Sequence, residues 1–327
     1  MKKLTTILAF VIVVVLFNLQ SCTKQDGLIS IDNNMELLPR ISDYHIFQGK
    51  AADLNPAPGF TQYEISTQLF TDYAEKQRLI SLPAGYQMTA IDDGLPELPD
   101  GTILVKTFYY YNNKQDTSSG KNIIETRLLI KHDSQWNVGT YLWNSEQTEA
   151  LLINTGMDKT VNWIDASGNA KTILYHVPNK KECNTCHQSE NKLIAIGPKV
   201  RNMNMDVLRN GVSINQLVYF SKTNLMKPVD PSLFTQLPDW KNVTHKLEER
   251  ARAYLDINCA HCHNRNGFAA KTNLFFGYET PLNATRIAIK KESIATNLSK
   301  GKMPKLGITI IDEEGVGLIK QYLATLP

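Results

Sequence analysis

Cysteine is scarce in this chain and its charges almost cancel. Against 35 lysines and arginines stand 32 aspartates and glutamates, so the basic excess that marks a nucleic-acid binder is missing. Low-complexity tracts are absent, and a composition of 42% hydrophobic and 20% charged residues excludes a disordered, collagenous or coiled-coil protein. Beyond the first 17 residues no stretch approaches 18 consecutive apolar residues, so none reads as a membrane span. No glycine-rich phosphate loop, Ser/His/Asp signature or pair of catalytic carboxylates stands out. Five cysteines in 327 residues are too few and too odd in number for a secreted disulfide scaffold, which is short and even-numbered. Length alone predicts two or three domains.

What is present begins at the N-terminus. Lys2 and Lys3 precede an apolar stretch from Leu4 to Phe17, followed by Leu19-Gln20-Ser21-Cys22, which is the grammar of a signal peptide over residues 1–21. The tetrapeptide resembles the lipobox of bacterial lipoproteins, although Gln20 is a looser fit than the usual small residue. The resemblance implies lipid attachment at Cys22, an anchor in a membrane of the bacterial cell envelope, and a periplasm-facing or surface location. Thr23 rather than Asp after Cys22 favours the outer membrane. A plain signal peptide or a short uncleaved anchor is the other reading. Without residues 1–21 the chain holds 33 basic and 32 acidic side chains. In an oxidising compartment the remaining four thiols are expected to be bonded to something.

Those four form two identical motifs, Cys183-Asn184-Thr185-Cys186-His187 and Cys259-Ala260-His261-Cys262-His263. CxxCH is the attachment signature of c-type haem. Thiols three positions apart on one helical turn can add across the two vinyl groups of a porphyrin, and the next residue places an imidazole beneath the ring to coordinate iron. Two occurrences in a chain of five cysteines and seven histidines are hard to attribute to accident. A zinc ribbon separates its CxxC pairs by about 15–20 residues, whereas 72 lie between Cys186 and Cys259. A thioredoxin-like pair or structural disulfides would not need the histidines. The spacing therefore predicts two covalently bound haem c groups with His187 and His263 as iron ligands.

Around the second motif, Val243 to Ile257 reads as an amphipathic helix, and Asp312 to Leu326 as another, with Asp312 as its N-cap. Met303-Pro304 lies between them in a polar loop. Helix, CxxCH, loop, Met-Pro and terminal helix are similar to the small class I cytochrome c domain over about 85 residues. The resemblance implies Met303 as distal ligand of the second haem, a Met/His pair that raises the reduction potential. The first motif is less regular. Met226 lies 43 residues after Cys183, close to the 44 from Cys259 to Met303. It is one candidate for the first distal ligand; Met203, Met205 and His176 are others, and an open position is a further alternative. A six-coordinate iron moves electrons, whereas a five-coordinate iron can bind peroxide or another small molecule.

Residues 60–180 read as antiparallel β-structure, with strands at Thr102–Tyr111, Ile123–Lys131, Trp136–Trp143, Thr160–Ile164 and Thr172–Val177 separated by turn residues. Phe108, Tyr109, Tyr110 and Tyr111, with Trp136, Tyr141, Trp143 and Trp163, read as sheet core, with a sugar-binding face as the alternative. The segments at 67–85, 106–113, 125–130, 196–202 and 252–267, together with both CxxCH motifs, resemble an uncharacterised family of bacterial di-haem c-type cytochromes. The resemblance covers most of the chain and implies a β-rich region ahead of two haem sites, without supplying a substrate.

The expected fold is therefore α+β: a signal peptide (1–21), an irregular segment (22–59), an antiparallel β-rich domain (60–180), a first haem-binding region (181–240) and a helical cytochrome c domain (241–327). The expected function is electron transfer outside the inner membrane. The alternatives are a di-haem peroxidase-like oxidoreductase, or the haem-bearing electron-exit subunit of a dehydrogenase with the β region as binding module; a dehydrogenase or an oxidase is the candidate partner enzyme. Residues 241–327 hold 13 basic and 8 acidic side chains, and residues 22–240 hold 20 and 24. The cationic end suits an acidic redox partner.

Overall fold

The computed structural model describes residues 37–190 and 192–327. The signal peptide and Cys22, with its expected lipid and membrane, lie outside the described residues. The fold is mixed α+β, a β-rich region followed by a helical one, as the sequence pattern predicts at this level. Six strands, β1 (Thr61–Gln62), β2 (Glu75–Ser81), β3 (Ile103–Tyr111), β4 (Lys121–His132), β5 (Gln135–Trp143) and β6 (Ala150–Ile153), form one antiparallel sheet in sequential order. A hairpin of β7 (Met157–Ile164) and β8 (Ala170–Val177) stands beside it.

Alternation along the strands gives the sheet two covered faces. On one, Ile80, Leu104, Leu129 and Val138 pair in a row across four strands and join a core with Met203, Leu217, Phe220 and Met226. Farther along, Phe108, Tyr110 and Ile124 pack under the hairpin with Trp163 and Tyr175. The other face meets the N-terminal segment, where the Tyr44 ring sits edge-on to Tyr141 and Phe47 lies against Trp143. Phe108, Tyr110, Tyr141, Trp143 and Trp163 are buried. These five are sheet core, covered by the N-terminal segment on one face and the hairpin on the other, while Tyr109, Tyr111 and Trp136 are part-exposed.

Seven helices follow: α1 (Lys180–His187), α2 (Val200–Met203), α3 (Gln216–Lys222), α4 (Leu247–Asn258), α5 (Leu282–Thr285), α6 (Lys291–Ser299) and α7 (Glu313–Ala324). Helix α4 starts four residues later than its hydrophobic pattern suggests. Its opening is instead capped from one side, the Glu249 carboxylate accepting from the Lys246 amide at 3.1 Å, since a lysine side chain has no acceptor to offer the helix. Asp312 caps α7 as expected, accepting from the Gly315 amide at 3.1 Å, and its second oxygen accepts from the Tyr254 hydroxyl at 2.9 Å. This brings α7 onto α4 so closely that a Cβ at Gly315 would come within 2.4 Å of the Tyr254 ring.

Two polar ties join the β-rich and helical regions. Asp256 of α4 is buried and receives Lys199 Nζ at 2.8 Å and Arg201 Nη2 at 2.9 Å. Burial alone would raise its pKa; the two cations together outweigh that and hold the carboxyl below the usual carboxylate range. Asp72, ahead of β2, accepts from the Thr309 amide at 2.9 Å and the Ile310 amide at 3.2 Å.

Gly315→Ala is expected to destabilise the fold by about 1–3 kcal/mol through overpacking against a ring that cannot move, read as a lower urea midpoint with unchanged slope. Asp256→Asn should cost about 1–3 kcal/mol, because it takes the carboxylate from the part-exposed Lys199 while Arg201 keeps Glu279 at 2.9 Å. Since the folded-state pKa of Asp256 is depressed, its contribution is fully present above the unfolded value of about 3.9 and is lost as pH falls through the folded one. Wild type and variant should therefore converge in stability in strong acid; a constant gap down to that range would contradict this.

Candidate functional site

The first motif lies wholly within α1. Asn179 opens that helix by accepting from the Glu182 amide at 3.0 Å, while Glu182 accepts from the Asn179 amide at 2.9 Å. Cys183 and Cys186 then fall one turn apart on one helix face. Cys183 is buried against β5, its Sγ 3.7 Å from the Thr140 hydroxyl. The ring nitrogen Nδ1 of His187 lies 2.8 Å from the Ile194 carbonyl. A carbonyl can only accept, so Nδ1 carries the proton and Nε2 the lone pair.

The second motif differs. Helix α4 ends at Asn258, and Cys259 to His263 form a turn closed by the His263 amide donating to the Cys259 carbonyl at 2.9 Å. The chain then doubles back, with the Ala269 amide on the Cys262 carbonyl at 2.9 Å. Gly267 permits this, because a Cβ there would stand 2.5 Å from that carbonyl oxygen. His263 Nδ1 lies 3.2 Å from Thr272 Oγ1. That hydroxyl already donates to the Ala269 carbonyl at 2.7 Å, so it accepts from His263, again leaving the lone pair on Nε2. Burial pushes the pKa of both His187 and His263 down to about 4. Both imidazoles are neutral at physiological pH and able to ligate a metal.

Although 72 residues separate the motifs in the chain, they touch. Donor atoms of Cys186, His261 and Cys262 lie within 4.8 Å of one another. Neither Cys183 nor Cys259 joins this group, so the donors do not make the four-ligand set of a structural zinc. None of the four cysteines is in a disulfide. Burial raises the pKa of Cys183 and pushes that of Cys259 up to about 12, keeping both as thiols.

Two adjoining clefts open at this contact. The first, of about 1690 Å³ with its mouth included, is lined by Cys183, Cys186 and His187 and walled by the sheet. The second, of about 1420 Å³ counted the same way, is lined by Cys262, His263 and Phe276. Cys186, Cys259, His261 and Met303 line both. Met303 sits on the segment that Asp72 ties down through Thr309 and Ile310. Met203 and Met226 are buried in the core beneath the sheet, and with Met205 they line neither cleft. Equal spacing from the cysteines did not bring Met226 to the position that Met303 holds. His176 lines the first cleft, but its ring nitrogens are committed to Asp158 at 2.6 Å and Glu182 at 3.1 Å.

The donor set fits two c-type haems: in each cleft a pair of thiols and a neutral imidazole whose Nδ1 is held by the protein, with a thioether sulfur beside the second. Thr272, the Ile194 carbonyl and Asp72 escape sequence reading, since nothing in their local pattern separates them from ordinary loop residues. Arg78, Lys106 and Arg127 also line the first cleft; of these only Lys106 left a signal, a cation in the middle of a largely apolar strand.

Asp72→Ala is expected to free the segment bearing Met303, raising hydrogen exchange at the Thr309 and Ile310 amides at least tenfold; unchanged protection would contradict the tie. Comparison of the chain with protein-family models, with curated proteins and with solved structures finds no match.

Proposed function

We propose that the protein is a di-haem c-type cytochrome that transfers electrons outside the inner membrane, held at the cell envelope by a lipid on Cys22. The observation that supports this most is that two CxxCH turns, far apart in the chain, meet and open onto adjoining clefts. On this reading residues 181–240 and 241–327 are the two haem-bearing regions, and the α4–α7 crossing at Tyr254 and Gly315 belongs to a cytochrome c-like domain. Cys183 and Cys186 would hold one haem covalently and Cys259 and Cys262 the other; His187, His263 and Met303 would be iron ligands. When bound, haem iron supplies reversible one-electron chemistry.

The chain's own part is positional. The Ile194 carbonyl and the Thr272 hydroxyl fix the tautomer and orientation of the two imidazoles and raise their basicity. Leu298, Leu306 and Phe276 line the clefts and exclude water, which favours the less charged state of any redox centre held there. Lys271 and Lys305, exposed at the second cleft, supply cationic groups for a small, transient contact with an acidic redox partner.

A second reading, a di-haem peroxidase-like oxidoreductase, is favoured by the first cleft. Of the residues read from the sequence as its distal ligand, Met203, Met205 and Met226 do not line it and His176 has both nitrogens engaged, while Met303 and His261 line both clefts. Carbon monoxide or peroxide binding by the half-reduced protein supports this reading, and absence of binding supports the carrier.

Mass spectrometry of protein produced with cytochrome c maturation is expected to show two covalent haems, and protein without covalent haem would overturn the proposal. Met303→Ala should abolish one sulfur-to-iron charge-transfer band and lower one midpoint potential. The rate of association with the redox partner should fall as ionic strength rises; a rate indifferent to salt would remove the acidic-partner contact.

A further inference from the structure

Three cations cross the sheet in one register row. Arg78 on β2 stands opposite Lys106 on β3, and Lys106 opposite Arg127 on β4. The next position along is Thr140 of β5, whose hydroxyl touches Cys183. All three cations line the first cleft. Like charges directly opposite one another destabilise a sheet, and buried cations are ordinarily paired.

Only Arg127 has its counter-ion, with Nε 2.9 Å from a Glu125 carboxylate oxygen. Arg78 is 5% exposed, and its hydrogen bond is a long 3.5 Å contact to Gln68 Oε1. Lys106 has no hydrogen bond or ion pair among the described residues, and its ammonium rests 4.9 Å over the Phe108 ring. Burial, and then the neighbouring cations, push the Lys106 pKa well down. Glu182 lines the same cleft, but its carboxylate is taken by His176 and the Asn179 amide. Asp312 lines it too, and its oxygens accept from the Gly315 amide and the Tyr254 hydroxyl. Arg78, and Lys106 when protonated, therefore face a largely apolar cleft with no carboxylate of this chain against them, and an anion bound there would favour the charged form of the lysine.

We propose that Arg78 and Lys106 form a carboxylate-binding site, and that the groups they bind are the two carboxylates of the tetrapyrrole attached at Cys183 and Cys186. The inference rests on the di-haem reading and extends it. It makes the sheet one wall of the first haem site rather than a separate binding module. A small anion from solvent is the other source of the same chemistry.

The test uses the haem-loaded full chain with Arg78→Gln, Lys106→Met, the double variant and the conservative Lys106→Arg. Removing a cation beside a redox centre favours its oxidised form. One midpoint should therefore fall by at least a tenfold change in redox equilibrium, ~59 mV for one electron, with the other midpoint and the count of covalent haems unchanged. Lys106→Arg should restore the wild-type value. Unchanged midpoints in the double variant would overturn the inference, and so would sulfate, which does not ligate the iron, shifting the wild-type midpoint at constant ionic strength, which would show a site open to solvent anions. Should the double variant fail to load, Lys106→Met against Lys106→Arg decides on the same readout. Wild-type protein lacking covalent haem would instead defeat the di-haem reading itself.

Discussion

The contact between the two cysteine turns is the constraint on which the arrangement of this molecule depends. With Cys186, His261 and Cys262 within 4.8 Å of one another, helix α1 and the C-terminal end of α4 are held end to end. Each cleft then borrows a wall from the other. The contact needs support, since small side chains at a turn bury little area. That support comes from around it: Asn258 accepts from the Phe70 amide at 2.8 Å, Asp256 gathers Lys199 and Arg201, and Asp72 holds the segment after Met303. A polar group buried at such a junction is favourable only when fully paired, and these three carboxylate and amide groups are.

The same physics explains why the basic row on the sheet stands out. Asp256 and Arg78 are both buried ionisable groups, yet the first has two cations of the chain against it and the second has no carboxylate. Arg127 marks the difference within a single row, since Glu125 two residues before it on β4 supplies a carboxylate, and β2 and β3 offer no equivalent. Arg78 and Lys106 thus lie without a carboxylate partner at a cleft already lined by a thiol pair and an imidazole.

Much of the local structure was legible. Alternating apolar residues located β3, β4, β5, β7 and β8 to within a few residues, because a strand's side chains obey a period of two wherever one face is buried. Asp312 was legible as a cap because its carboxylate serves the first turn that follows it. The start of α4 was not, since Glu249 settles it by accepting from the Lys246 amide rather than through hydrophobicity. Met226 shows the limit of spacing arguments: 43 residues of chain say nothing about which way the backbone turns, and its side chain packs into the core with Phe220 instead.

What the sequence determined by itself is a pair of thiol pairs, each with an adjacent histidine, whose spacing is local and survives in any fold that keeps one turn intact. Tertiary structure alone decided that the two turns touch, that Met303 rather than another methionine faces the clefts, and that Ile194 and Thr272 hold the imidazoles. It also decided that three cations from separate strands share one row. Each of these is a through-space contact between segments distant in the chain, set by sheet register and helix packing, and a linear pattern carries no record of it.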